Sequence, residues 1–180
     1  MNNQLYLIAL VPDEVLRERV RKLKLEMSER FNASHALKAP AHITLQMPFR
    51  RDESFESKLT DELTRFASSQ PPFNVDVDGF DSFPPRVIFL KVNHVPVKEL
   101  HANLNAHLTH NLNFPHKELI DEIHPHMTIA TRDLSKKMYR KAWTEFKERL
   151  FEASFPADRL HLLKHNGKHW ELFREFPFKI

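Results

Sequence analysis

The chain opens on a short apolar run, Gln4 to Val11, closed by Pro12-Asp13. A run of that length, stopped by a turn signal, predicts a buried strand. The period then changes. Leu16, Val20, Leu23, Met27 and Phe31 fall three or four residues apart and trace one face of a helix, with Asp13 as its N-cap. Residues 32–40 read as loop. From His42 the period is two, with Ile43, Leu45 and Met47 apolar and His42, Thr44 and Gln46 polar, which predicts a half-buried strand ending near Pro48. Phe55, Leu59, Leu63 and Phe66 predict a second helix over 54–69, stopped by Pro71-Pro72. Strands follow at 73–80 and 86–92, with the linker Asp81 to Pro85 as a hairpin return.

The pattern then repeats. Leu100, Leu104, Leu108 and Leu112 predict a helix from Pro96, His124 to Thr131 a strand, and Met138, Ala142, Phe146 and Leu150 a helix over 135–151. Asn166-Gly167 between two strand-like runs is a type I′ hairpin signal. The predicted order is β α β α β β α β α β β. Alternating strands and helices usually argue for a parallel sheet. Here hairpins and half-polar strands argue for an α+β fold of antiparallel sheets. One domain over residues 1–180 is expected, with lobes of roughly 1–92 and 93–180.

Composition narrows this little. At 41% hydrophobic and 28% charged residues, the 180-residue chain can bury a real core. A net charge of +3 permits an anionic ligand without requiring nucleic acid. Cysteine is absent, which excludes disulfides, Cys-type zinc sites and a Cys nucleophile. The apolar start lacks a preceding basic region and is followed by an acidic segment, so it reads as a strand rather than a targeting segment. The expectation is a soluble, cytoplasmic monomer.

Twelve histidines bring the candidate chemistry. His42-Ile43-Thr44-Leu45 matches His126-Met127-Thr128-Ile129, 84 residues on. Residues i and i+2 share a strand face, so each copy presents a His and a Thr together while its apolar pair faces the core. If the two faces meet, two imidazoles and two hydroxyls surround one small volume. One ring can take a proton from a nucleophile while the other protonates a leaving group. The hydroxyls can donate to a developing oxyanion. Such a set suits in-line displacement at a phosphodiester.

The doubled His-φ-Thr-φ motif, with φ apolar, resembles the signature of the two-histidine (2H) phosphoesterase superfamily. That superfamily includes the RNA 2′,3′-cyclic phosphodiesterases, also called 2′-5′ RNA ligase-like proteins. Leu5 to Val15 is similar to the family's first strand and turn, and His124 to Asp133 to its second motif. The resemblance implies a bilobal α+β fold: two pseudo-symmetric antiparallel sheets, helices outside and a central cleft. It implies catalysis without metal or cofactor on an RNA end or small cyclic nucleotide. His42 would be the general acid and His126 the general base. Thr44 and Thr128 would hold phosphate oxygens, and Arg132 would be the family's basic residue after the second motif. One departure is visible: Gln46 to Arg50 contains no glycine where many RNA-processing members turn on one.

The rival readings are a phospho-ligand or RNA-end binding module on the same fold, and a histidine-rich metal protein. His124 shares the face of His126 and is a candidate to tune it or touch substrate. A metal on that pair lacks a third ligand at a convincing spacing. His101, His107 and His110 read as a solvated helix face. His161, His165 and His169 read as exposed positions on a ribbon.

Overall fold

The computed structural model describes residues 2–179. Twelve main elements run in order: β1 (Asn3–Leu10), α1 (Glu14–Phe31), β2 (Ile43–Asp52), α2 (Glu56–Ala67), β3 (Phe73–Phe83), β4 (Val87–Val92), α3 (Val95–Leu112), β5 (His126–Ala130), α4 (Lys136–Phe146), β6 (Glu152–Ala157), β7 (Arg159–His165) and β8 (Trp170–Pro177). The strands form two antiparallel four-stranded sheets, ordered β2-β1-β7-β8 and β5-β4-β3-β6. The α+β class and the antiparallel pairing are as the half-polar strands require. No helix among the described residues is long and apolar enough to cross a membrane.

The lobes are not consecutive halves of the chain. Residue 92 is no boundary in space, because each sheet takes two strands from either side of it. What repeats is a smaller unit, β-α-β. In both copies the first strand pairs antiparallel with the last, and the last is a sheet edge. Both connecting helices have 18 residues and end on an asparagine in the left-handed region, Asn32 (φ 54°) and Asn113 (φ 53°). Asparagine tolerates that conformation, and its N–H caps the carbonyl of Met27 or Leu108, which closes the last turn. Asp13 caps α1 as predicted, accepting from the Leu16 N–H at 2.9 Å.

Several expectations are corrected. The last predicted helix stops at Phe146 rather than Phe151, and Leu150 is 94% exposed, so its i+4 spacing is a coincidence. Beyond it lies a strand the periodicity missed. In β6, Phe155 and Ala157 fill the core while Pro156 points outward on a sheet edge, where a missing N–H is tolerated. Strand β2 passes through Pro48 to Asp52, because two register shifts against β1 absorb extra residues. These shifts reverse the expected alternation: Gln46 is buried and Met47 is 47% exposed. β3 runs to Phe83, through most of the expected linker. Residues 32–40, read as loop, include a 3-10 turn over His35–Lys38. The final hairpin turns over four residues rather than two. Asn166 Oδ1 accepts from the Lys168 and His169 N–H groups, and Gly167 supplies φ +97°. His101 and His161 are buried, at 2% and 4% exposure, and His107 pairs with Glu62 at 3.1 Å between helices.

Candidate active site

His42 stands one residue before β2, and Thr44 is the second residue of that strand. His126 and Thr128 are the first and third residues of β5. All four side chains are half-buried, while Ile43, Leu45, Met127 and Ile129 are buried on the opposite face. Burying such a side chain is worth about 1.5–3 kcal/mol, so each apolar pair holds its His and Thr outward. The two edge strands lie side by side. The motifs therefore come together, and His126 is close enough to depress the basicity of His42.

Each imidazole is held by the same device. His42 Nδ1–H donates to the Pro40 carbonyl at 2.7 Å, and His126 Nδ1–H to the His124 carbonyl at 2.6 Å. A carbonyl only accepts, so the bond places the ring proton on Nδ1 and leaves Nε2 free. In both motifs a proline stiffens the segment carrying that carbonyl: Pro40 itself, and Pro125 after His124.

Two clamps fix the motifs relative to each other. Asp133, just past β5, accepts from the backbone N–H groups of Ser34 and His35 at 2.9 and 3.0 Å, in the turn leading to His42. On the far side of β2, Gln46 Nε2 donates to the Glu118 carbonyl at 2.8 Å, and Arg51 pairs with the Glu118 carboxylate at 2.7 Å. Arg51 also lies 4.2 Å over the Phe114 ring. The loop entering β5 is thereby tied to β2.

The surroundings of the two rings differ. Burial pushes His42 down to about 4; Lys24 and His126 add to the depression and the Pro40 carbonyl opposes it. His126 is also lowered, by burial first and then by His124 and His94, against the His124 carbonyl. His124 is exposed, with its ring 4.7 Å from His94 and 5.1 Å from Phe83 between centroids. Phe83 and Phe89 pack against His126 at 5.2 and 4.9 Å.

Arg132 is exposed, with φ +54°, in the turn after β5. The structure places it beside His35, whose basicity it lowers after the larger effect of burial, in a groove shared with Lys38 and Trp170. Sequence reasoning missed Lys24 and His94. Lys24 is 3% exposed, donates to the Ala39 carbonyl at 2.9 Å and is pushed down to about 8 by burial. Its signal was available: it lies four residues after Val20 and three before Met27, inside the apolar stripe. His94 immediately precedes α3 and carried no sequence signal.

The chain is similar to named relatives and to solved structures of the same fold. Two Geobacillus proteins named "Putative phosphoesterase" are similar to the chain. The one from G. kaustophilus is 34% identical, covering 88% of this chain and 90% of its own. The one from G. thermodenitrificans is 32% identical over 95% and 94%. Among solved structures, Escherichia coli LigT complexed with 3′-AMP matches with a TM-score of 0.71, at 17% identity over 99% of this chain and all of that one. TT0787 of Thermus thermophilus matches at 0.66, with 20% identity over 98% of both. The family profile described as the 2′-5′ RNA ligase superfamily matches residues 11–169, a span that contains both His-φ-Thr-φ motifs, and the chain belongs to that superfamily.

Proposed function

We propose that the chain is a phosphodiesterase that opens a 2′,3′-cyclic phosphate, or a related 2′-5′ or small cyclic phosphodiester, by imidazole acid–base catalysis. The observation that carries it is the matched pair of Nδ1-anchored histidines on adjacent edge strands, each with a threonine two residues on. Support for a nucleotide ligand comes from the fold neighbour LigT, crystallised with 3′-AMP, ATP and NADP+.

The reaction runs in line. His126 Nε2 takes a proton from water as the water oxygen attacks phosphorus. His42 Nε2–H protonates the departing ribose oxygen as its bond to phosphorus breaks, leaving a phosphomonoester. The Thr44 and Thr128 hydroxyls donate to the non-bridging oxygens as charge develops on them. These four side chains carry the step without a metal. Burial leaves His42 neutral near pH 7, so it must gain its proton with the substrate. A phosphodiester anion beside the ring stabilises the imidazolium and raises its basicity. Acid and base then titrate as a pair, giving a bell-shaped pH profile.

The same low basicity of His42 favours the rival reading, a binder of phosphorylated ligands without turnover. Hydrolysis of nucleoside 2′,3′-cyclic phosphate in EDTA separates the two. Turnover by wild type, lost in both His42→Ala and His126→Ala, supports the enzyme. Tight binding of the cyclic phosphate with no product formed establishes the binder instead. Full activity in either variant overturns the assigned roles.

A further inference from the structure

A groove of about 480 Å³, not used by the reaction above, lies between the turn before His42, the turn after β5 and the β7–β8 hairpin. It is walled by the segments that flank both motifs, His35 and Lys38 before His42 and Arg132 after Thr128, and closed by Lys168, His169 and Trp170 from the β7–β8 hairpin. Among the described residues no carboxylate lines it. Asp133, next to Arg132, is turned to the backbone of Ser34 and His35 instead. Three permanent cations and three imidazoles around one aromatic ring form a site for a polyanion with a flat face.

Register connects this groove to the reacting groups. Ala9 pairs with Thr44 on one side and His161 on the other, Leu7 pairs with Leu163, and His165 pairs with Trp170. Paired residues, and residues two apart on a strand, share a face. Thr44, Ala9, Leu7, Leu163 and Trp170 therefore lie on one face of one sheet. Leu7, Ala9, Val11 and Leu163 form a small apolar cluster separate from the main core, and Trp170 packs on it. An apolar floor thus runs from the Thr44 hydroxyl to the indole. The indole is half-buried, and His165 stacks edge-on against it at 5.0 Å. Exposed Lys168 sits at the hairpin end of this floor, in the turn that Gly167 opens at φ +97°.

We infer that the hairpin groove is a second-phosphate subsite: it holds a nucleotide that carries a phosphate in addition to the reacting one, with its base against Trp170 and the added phosphate between Lys38 and Lys168. The inference rests on the phosphodiesterase reading only for the position of the reacting phosphate. It names the substrate class as a phosphorylated nucleotide or nucleic-acid end, not a bare nucleoside cyclic phosphate. The hairpin and the 3-10 turn, rather than the histidine strands, then set specificity.

The test is binding, so it does not need turnover. The chain has two tryptophans, and Trp143→Phe leaves Trp170 as the sole indole reporter. Titrating that protein with adenosine 3′,5′-bisphosphate and adenosine 3′-monophosphate is expected to quench Trp170 with both. The bisphosphate is expected to bind at least about tenfold tighter, as one added charge-assisted contact predicts. Lys38→Ala with Lys168→Ala should collapse that ratio to near one. Equal affinities in the parent protein, or a preference unchanged by the lysine pair, overturns the subsite. A lysine-dependent preference in a protein that hydrolyses no cyclic phosphate keeps the subsite and defeats only the catalytic reading.

Discussion

His42 and His126 occupy equivalent places in two β-α-β units, yet the groups around them differ. His42 is half-buried beside a buried lysine on α1, and burial is the largest of the effects that push it down to about 4. His126 sits at the rim of an aromatic and imidazole cluster in which His124 is exposed. The backbone device that fixes each ring is the same; the electrostatics are not. A duplicated scaffold supplies position, and under the proposed mechanism the residues around each copy would divide the labour. A ring whose basicity is lowered by burial and by a neighbouring lysine stays neutral near pH 7 until an anion arrives. A ring bordered by other titratable rings responds to the medium.

The strongest way to break this comparison is to remove each ring. His42→Ala and His126→Ala are each expected to lower kcat by about 10²–10⁴ on a 2′,3′-cyclic phosphate. An aryl phosphodiester, whose leaving group needs no proton, should restore most of the loss in His42→Ala and none in His126→Ala. Equal rescue of both would erase the distinction. Next in size, Thr44→Val and Thr128→Val are each expected to cost about 10² in kcat with little change in KM, as for removal of one oxyanion donor. A change confined to KM would make them ground-state anchors.

A smaller effect sharpens the contrast. His94→Ala and His124→Ala each remove a group that lowers His126, so its titration should move to higher pH; Lys24→Met should do the same for His42 alone. Proton NMR of the two imidazoles reads this directly. Shifts at the wrong ring would show that the two surroundings are not separate. The smallest and broadest effect is on stability. His42 and His161 are both pushed to about 4, below the ordinary value near 6.5. Between those pH values the unfolded chain binds more protons, so stability is full above pH 6.5 and falls as the pH drops toward 4. Each ring contributes at most about 3 kcal/mol. Thermal melts across that window should show the decline, and it should be shallower in His161→Gln.

Much of this was legible in the sequence because it is local. The cap at Asp13, the leucine stripe of α3 and the phase of Ile43-Leu45 against His42-Thr44 are set by neighbours a few residues away. What escaped depends on distant partners. Gln46 is buried because β1 and β2 slip register, and β6 forms because β3 offers it an edge. Lys24 was missed although its place in the apolar stripe marked it. Trp170 carried no pattern; only the pairing of β7 with β1 and of β8 with β7 sets it on the face of Thr44. The motif residues could be named in advance. The groove of Lys38, Arg132 and Trp170 could not, because five separate segments build it.

The interleaving of strands has a consequence for synthesis of the chain. β1 and β2 are made first, but β7, their partner in the sheet, lies more than a hundred residues downstream. Until then the first histidine strand belongs to a two-stranded sheet within the β1-α1-β2 unit, which is marginal in water. The other sheet can finish at residue 157, while the nascent chain still lacks the strands that complete the first. Such long-range closure is slow relative to local helix formation. The second motif is therefore expected to mature before the first, and a ribosome-stalled chain ending before β7 should protect β5 from hydrogen exchange while leaving β2 open.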